Sequence, residues 1–324
     1  MLRTVFSNSS LRGLRLCGNC RNDLLTPDNL YYLPTDVRDK VMPKKLTDEQ
    51  ISAYRHDGFC FPVDGIGPDR AKKARAELEA YEATLGAPLT AAGREERYKL
   101  HVRLPWACDL VRDPAVLDAV EDIIGPDILV WTSTFFIKEP QTTAITMWHQ
   151  DATYFGLRPH DHITAWIALS EASETAGCME FVPEGGDARL YRHRANADPN
   201  SINGGGQTIE ERFDKGHTVR GRLKMGQFSL HHTLCIHSSP PNNSDDRRIG
   251  YGISYVPASV RHIGTTPQRA MLVRGEDRHS NFLHEPFPVG VDANDSAALA
   301  LSRKSYNFGY AEQIDWHAQG RWEN

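Results

Sequence analysis

Two segments of the chain hold residues whose types and spacing suit a divalent metal ion. In the first, WHQDATYF over residues 148–155, His149 and Asp151 are two positions apart. In an extended backbone, residues two apart project to the same face, so this pair could point together into a β barrel. Most copies of such a short pattern are surface polar pairs, so a metal site requires a further ligand.

A second segment, GQFSLHHTLCIHSSPPN over residues 226–242, could supply that ligand. It contains His231, His232 and His237. Because His231 and His232 are adjacent, they face opposite sides of a strand, and at most one of them can point inward. Two histidines and one carboxylate on a β scaffold are the ligand set of non-haem Fe(II) oxygenases, which leaves metal positions open. The residues alone do not select the histidine.

The elements around these segments predict a mainly β domain with flanking helices. A capping box of Thr47 and Gln50 begins a short helix that ends at Gly58, and a strand is expected over residues 59–63. Longer helices are expected over residues 68–85 and 114–124. Short β-branched and aromatic runs then predict an antiparallel barrel or double sheet, at residues 128–137, 164–169, 179–182, 227–230 and 249–256. Residues 196–207, polar and rich in glycine, predict a mobile surface loop.

Composition excludes several classes of protein. The 324 residues include 37 Lys plus Arg against 42 Asp plus Glu, for a net charge of −5. Because no long basic run is present, the charge pattern argues against nucleic acid as a partner. No stretch has the length and apolar character of a membrane span. The six cysteines are scattered, which suits free thiols in a reducing compartment.

The amino-terminal residues have the composition of a targeting segment. Residues 1–22 contain four arginines and no acidic residue, which is typical of a mitochondrial transit peptide. The alternative is a disordered tail of the same composition. We therefore expect a mitochondrial location, and otherwise a cytoplasmic one. Cys17 and Cys20 lie in this segment, and we expect no chemical role for them. Residues 23–45 predict a linker or arm, and residues 46–324 a single domain.

Taken together, the segments resemble the phytanoyl-CoA dioxygenase family of Fe(II)- and 2-oxoglutarate-dependent oxygenases over about residues 46–281. WHQDATYF resembles the family's first metal strand, TAWIALSEASETAGCMEFVP the strand pair that follows it, and HHTLCIHSSPPNNSDDRRIG the block with the distal histidine and an arginine. In the family this arginine follows the distal histidine by eleven residues, which is the separation of His237 and Arg248. The resemblance therefore selects His237 as a ligand, and Arg248 over its neighbour Arg247.

The resemblance implies a double-stranded β-helix, a jelly-roll or cupin-like fold, with Fe(II) held by His149, Asp151 and His237. It also implies 2-oxoglutarate and O2 as cosubstrates, with release of succinate and CO2. The far carboxylate of 2-oxoglutarate would bind Arg248, a guanidinium suited to two parallel charge-assisted hydrogen bonds. Ser239 and Trp166 would complete the cosubstrate pocket. Lys99 would match a family lysine there, or else be a solvated surface charge.

Two departures from the family pattern and one open question remain. Glu184 and two glycines replace the family's Gly-Ser-His after the VP strand, which affects a loop but no ligand. Asp151 occupies the position that related halogenases fill with a small residue, so the resemblance favours hydroxylation over halogenation. The substrate is expected to be a small zwitterion or organic acid, although an acyl-CoA remains open. Candidate pocket residues are Arg103, Trp131, Phe135, Tyr154, Phe155, Arg158 and His160.

Two other classes of function compete with the oxygenase. Zinc also accepts histidine and aspartate ligands, so a zinc hydrolase is one alternative, although it has no use for Arg248. A metal-free binding protein on the same barrel is the other. The sequence gives no indication of oligomeric state.

Overall fold

Two antiparallel sheets form the core of the computed structural model, which describes residues 43–92, 94–186, 188–195, 198–203 and 207–319. The helices are α1 (Asp48–Asp57), α2 (Pro68–Leu85), α3 (Pro105–Val111), α4 (Pro114–Ile124), α5 (Ala152–Phe155) and α6 (Ala293–Ala318). The strands are β1 (Phe59–Asp64), β2 (Ile128–Lys138), β3 (Thr146–His149), β4 (Leu157–Arg158), β5 (Ile163–Ala168), β6 (Met179–Val182), β7 (His193–Ala195), β8 (Gln207–Ile209), β9 (Val219–Gly221), β10 (Gln227–His232), β11 (Ile236–Ser239), β12 (Arg248–Pro257), β13 (Arg261–His262), β14 (Arg269–Arg274) and β15 (Leu283–His284).

The strand order is that of a jelly-roll, as predicted. A seven-stranded major sheet runs β1-β10-β5-β12-β2-β14-β15, and a four-stranded minor sheet runs β3-β11-β6-β9. Strand pairs in both sheets are antiparallel except for β14 with β15. The central strands β5 and β12 are buried almost throughout, which explains why they read as continuous apolar runs rather than alternating ones.

Helices α1 to α4 cover one face of the major sheet. Leu78 of α2 and Leu117 of α4 pack in one cluster with Ile137 of β2 and Ile253 of β12. The predicted helices 68–85 and 114–124 are confirmed, and both partners of the Thr47–Gln50 capping box are hydrogen-bonded. Because the helices bury one face of the sheet, its other face is free to line a cavity.

Helix α6 was not predicted, because its inner face is polar. Asp295, Ser302 and Gln313 are buried beside Leu299, at spacings close to one helical turn or its multiples. An apolar stripe is the usual signal of a packed helix, and here hydrogen-bonding residues take much of its place. Asp292 accepts a hydrogen bond from the backbone of Asp295 at 2.9 Å, at the start of the helix.

Three further predictions concern the amino-terminal segment, the glycine-rich loop and membrane-spanning segments. The predicted targeting segment, residues 1–22, and most of the linker lie outside the described residues. Within residues 196–207 the surface prediction is wrong at Asn203, which is 3% exposed. Among the helices that the structure describes, none is long and apolar enough to cross a bilayer.

Candidate metal centre

Strands β3 and β11 of the minor sheet bring two histidines together. The antiparallel register pairs His149 with His237, whose ring centroids lie 4.1 Å apart. Nδ1 of His149 lies 2.7 Å from the carbonyl oxygen of Met147, and Nδ1 of His237 lies 3.0 Å from that of Cys235. Donation from each Nδ1 to its carbonyl leaves each Nε2 with the lone pair that a metal requires.

Asp151 joins the histidines through a turn, not through strand alternation. Strand β3 ends at His149, and Asp151 has helical dihedral angles (φ −62°, ψ −33°) at the start of α5. The premise of an extended H-x-D backbone was therefore wrong, although both side chains reach one centre. Gln150 faces away, as predicted, and its amide accepts a hydrogen bond from the backbone of Tyr191 at 2.7 Å and donates one to Arg189 at 2.7 Å. These bonds hold the turn in place.

The two carboxylate oxygens of Asp151 have separate surroundings. Oδ1 lies 3.6 Å from Nε2 of His149 and 3.9 Å from Nε2 of His237. Oδ2 accepts a 2.8 Å hydrogen bond from Thr164 and lies 3.4 Å from Nε2 of His231. One oxygen is thus available to a metal while the other is held by the protein.

The donor set fits an Fe(II) ion. One ligand atom from each of His149, Asp151 and His237 lies within 4.8 Å of the other two. Burial would raise the pKa of Asp151, but the neighbouring imidazoles, those of His149 and His231 above all, hold it well below its usual value. Burial lowers the pKa of His237 well below its usual value. The carboxylate is therefore ionised and the imidazole neutral, which are the forms that bind metals.

The three ligands line a cavity of about 320 Å³ that extends to both sheets. Residues of the major sheet, Trp166 and Arg248 among them, line the same cavity. The remaining lining includes Tyr98, Phe136, Thr146, Tyr154, Phe155, Thr164, Met179, Asn203, His231, Ser239, Tyr306, Asn307 and Tyr310.

Arg248 is a buried cation without an anionic partner among the described residues. Its side chain is 1% exposed and its guanidinium carbon lies 5.2 Å from the centre of the Trp166 ring. Nη1 donates to the carbonyl of Gly177 at 3.3 Å, whereas Nε has no hydrogen-bond partner. Burial lowers the pKa of Arg248 to about 10, so the group stays charged at neutral pH. Buried charges are normally paired, and this site therefore fits the carboxylate of a ligand.

Ser239 reaches the cavity but its hydroxyl already has partners. Oγ donates to the hydroxyl of Thr146 at 2.9 Å and accepts from Nζ of Lys138 at 2.7 Å. Lys138 was missed by the sequence analysis. Its signal is a lone lysine at the end of the apolar run that forms β2.

The neighbouring residues support the predicted choice of arginine and histidine. Arg247 forms ion pairs with Glu82 of α2 at 2.8 Å and with Glu139, which follows β2, at 2.9 Å, and it does not line the cavity. Of the adjacent histidines, His231 lines the cavity, whereas His232 lies edge-on to Tyr54 with ring centroids 6.4 Å apart. The expectation that at most one of the two histidines points inward is confirmed.

Only part of the predicted substrate pocket lines the cavity. Tyr154 and Phe155 do, but Trp131 packs against Phe282 at 5.7 Å and Phe135 stacks on Tyr251 at 4.3 Å, within the core. The lining also lacks Arg103, Arg158 and His160. These predictions were wrong because side-chain direction depends on register, which the motif did not give.

Both predictions for Lys99, a cosubstrate ligand or a solvated surface charge, were wrong. The side chain is 1% exposed and forms a buried ion pair with Glu285, which also lies 3.2 Å from Nε2 of His101. Lys99 is therefore neither a cosubstrate ligand nor a solvated charge.

Residues from distant segments complete the cavity and were missed by the sequence analysis. Tyr306, Asn307 and Tyr310 come from α6, and Asn203 from the segment predicted as a surface loop. Tyr98 donates a 2.8 Å hydrogen bond to Asn307, and the ring of Tyr310 stacks on that of Tyr154 at 6.0 Å. No local motif marks these residues, because their contacts span much of the chain.

Comparisons with known proteins agree with this geometry. A probable α-ketoglutarate-dependent hypophosphite dioxygenase of Stutzerimonas stutzeri is 29% identical over 154 residues, which is 47% of this chain and 53% of that protein. The ectoine dioxygenase of Streptomyces avermitilis is 27% identical over 260 residues, which is 72% of this chain and 86% of that protein. The chain spans about half the length of most of the curated relatives that it matches.

Solved structures of a non-haem monooxygenase, ThoJ, share the fold. The apo form has a TM-score of 0.72 and 29% identity, over 82% of this chain and 99% of that one. The nickel complex has a TM-score of 0.66 and 30% identity, over 83% of this chain and 99% of that one. The sequence model of phytanoyl-CoA dioxygenase (PhyH) matches residues 54–250, which is more than half of the chain. The protein thus belongs to the phytanoyl-CoA dioxygenase family, as its metal and arginine blocks predicted.

Proposed function

We propose that the protein is an Fe(II)- and 2-oxoglutarate-dependent dioxygenase that hydroxylates a C–H bond of a small organic molecule and releases succinate and CO2. One observation carries this proposal: a centre of two histidines and one aspartate shares a cavity with a buried arginine that has no anionic partner among the described residues. A zinc hydrolase would have no use for that arginine.

Different residues of the protein would bind the metal and the cosubstrate. His149, Asp151 and His237 would hold Fe(II), which supplies the activation of O2 for C–H oxidation when it is bound. Because Thr164 and His231 occupy Oδ2 of Asp151, the carboxylate would bind the metal through Oδ1 alone. This arrangement keeps metal positions free for the cosubstrates.

Arg248 and its neighbours would anchor 2-oxoglutarate. The guanidinium would bind the far carboxylate through two parallel hydrogen bonds, with the Trp166 ring packed against it and the Ser239 hydroxyl nearby. Positioning of this kind lowers the barrier of a reaction by fixing the reactants beforehand. The binding residues themselves transfer no proton in this proposal.

The size of the cavity favours a compact substrate. Its volume of about 320 Å³ lies at the lower end of the range for ligand pockets, roughly 300–1,000 Å³. The cavity must hold the cosubstrate and the substrate together, so we propose a small substrate rather than an acyl-CoA. The lining rings of Tyr154, Phe155, Tyr306 and Tyr310 would exclude water from the reacting C–H group.

Succinate formation tests the proposal. Purified protein with Fe(II), 2-oxoglutarate and O2 is screened against small zwitterions and organic acids, beside His149→Ala and Arg248→Gln variants. Wild type and Arg247→Gln, whose guanidinium faces away from the cavity, should form succinate well above both site variants. Equal rates in wild type and His149→Ala would reject the proposal. Turnover that needs no O2 and survives iron chelation would instead favour a hydrolase.

A further inference from the structure

A second buried basic residue, Lys138, lies directly opposite Arg248 in the major sheet. The β2–β12 register pairs Arg248 with Lys138, and each side chain is 1% exposed. Neither forms an ion pair within 4.0 Å in the part of the chain that the structure describes. Two like charges opposite one another would destabilise an antiparallel pair, and a buried charge without a counter-charge is costly, so both factors disfavour the charged form of Lys138 while no anion is bound. A bound anion would offset both costs.

The side chain of Lys138 reaches the cavity through Ser239. Its Nζ lies 3.1 Å from the backbone carbonyl oxygen of Ser239 and 2.7 Å from the hydroxyl of Ser239, and it also contacts the carbonyl of Pro240. A neutral amine has hydrogens for two of these three acceptors, whereas the ammonium can donate to all three. Ser239 in turn donates to Thr146, and both of these residues line the cavity, whereas Lys138 does not. The lysine therefore fixes the direction of the Ser239 hydroxyl.

The charge of Lys138 depends on its surroundings. Burial, and after it the charge of Arg248, lower the pKa of Lys138 to about 6, while Cys178 and Glu180 act in the opposite direction. The amine is therefore mostly neutral at pH 7 in the free protein. A carboxylate bound at Arg248 would add a negative charge beside the amine and raise its pKa.

We propose that Lys138 is a positioning residue of the cosubstrate's anion site, which orients the Ser239 hydroxyl and takes up a proton when a carboxylate binds at Arg248. The inference rests on the proposed function, since it assigns that carboxylate to 2-oxoglutarate. Because the complex holds one more proton than the free protein, lower pH favours the complex. The Kd for 2-oxoglutarate should therefore rise with pH above about 6, by up to about tenfold per pH unit until the lysine of the complex also loses its proton.

Calorimetry tests this without enzyme turnover. 2-Oxoglutarate is titrated into Fe(II)-loaded protein in the absence of O2, at pH 7, in two buffers of different ionisation enthalpy. We expect the wild type to take up close to one proton for each 2-oxoglutarate that binds. Lys138→Gln should lose this uptake, bind roughly tenfold more weakly and show a nearly flat Kd between pH 6 and 8. Arg247→Gln is the matched control, and it should keep both the uptake and the pH dependence.

The outcomes separate this inference from the proposed function. Binding to the wild type without proton uptake, or uptake that Lys138→Gln retains, would overturn the role of Lys138 and leave the oxygenase proposal standing. No binding to the Fe(II)-loaded wild type would overturn both. If Lys138→Gln does not fold, the proton uptake of the wild type and the change of its Kd with pH still test the role of Lys138. Lys138→Arg, whose charge is permanent, should bind 2-oxoglutarate more tightly than Lys138→Gln and without proton uptake.

Discussion

The hydroxyl of Thr164 donates a 2.8 Å hydrogen bond to Oδ2 of Asp151 and so links the two sheets at the metal centre. Thr164 belongs to β5 of the major sheet, whereas Asp151 follows β3 of the minor sheet. The bond orients a carboxylate that lies outside regular strand structure. The geometry of the centre therefore depends on the distance between the sheets as well as on the ligands.

Removing this bond should weaken metal binding without abolishing it. Thr164→Val keeps the shape of the side chain but leaves Oδ2 with His231 as its neighbour. Partners of this kind typically contribute about 10- to 100-fold to metal affinity, and we expect a loss in that range. An anaerobic Fe(II) titration measures it. His237→Ala should retain no stoichiometric iron, and equal affinity in Thr164→Val and wild type would contradict the orienting role.

A methyl group at Gly250 should displace the aromatic wall of the cosubstrate site. A Cβ at this position would lie 1.7 Å from Cζ2 of Trp166, the ring on which the Arg248 guanidinium lies. Gly250→Ala should therefore raise the KM for 2-oxoglutarate and destabilise the fold by about 1–3 kcal/mol, the typical cost of overpacking. Steady-state kinetics and urea unfolding measure the two effects.

Gly290 provides the matched control for this prediction. A Cβ at Gly290 would meet no atom within 4 Å, so Gly290→Ala should change neither KM nor stability. Trimming the ring in the double variant Gly250→Ala/Trp166→Leu should recover part of the lost stability. If Gly250→Ala has the wild-type KM, Trp166 does not shape the site.

Acid should selectively remove the stability contributed by Glu285. Burial would raise the pKa of Glu285, but Lys99 and His101 lower it to about 2, compared with 4.5 for an ordinary glutamate. The folded-state pKa is depressed, so the stabilisation is complete above about 4.5 and is lost as the pH falls towards 2. Glu285→Gln should lower the free energy of unfolding by about 3–5 kcal/mol at pH 7, because it leaves Lys99 without its buried partner.

Urea unfolding at pH 7, 5 and 3 checks this prediction. The difference in the free energy of unfolding between wild type and Glu285→Gln should become smaller at pH 3. Glu276→Gln, which removes an exposed carboxylate, should behave as wild type at all three values. If this difference in the free energy of unfolding stays constant down to pH 3, the charge of Glu285 is not what stabilises the fold.

The parts of the molecule that could be predicted from sequence are those set by short-range rules. The bounds of helix 68–85 were predicted correctly, since Pro68 and Gly86 mark its ends. Metal-ligand types at restricted spacing indicated His149 and Asp151, whereas His237 was selected by the resemblance to the family. Lys138 and Glu285 could not be assigned. Each is polar, each is buried, and its partners lie far away in the chain, so neither hydrophobic periodicity nor a motif reports its position.

The wall formed by α6 should control which molecule is oxidised. Tyr310 lines the cavity and stacks on Tyr154, which in turn lies edge-on to His149 with ring centroids 5.8 Å apart. Tyr310→Ala should reduce the succinate formation that a substrate stimulates, while the iron content and the Kd for 2-oxoglutarate stay as in wild type. Leu301→Ala, on the exposed face of the same helix, is the control. A lost affinity for 2-oxoglutarate in Tyr310→Ala would place this residue in the cosubstrate site instead.

The segment matched by the family ends at residue 250, whereas α6 begins at Ala293. The candidate metal ligands and the arginine therefore lie in one stretch of the sequence, and three residues of the cavity wall lie in another. Such an arrangement lets selection alter the carboxyl-terminal stretch without disturbing the reaction centre. If the proposed function holds, an exchange of residues 293–319 between homologous proteins should change the substrate preference while leaving the metal ligands in place.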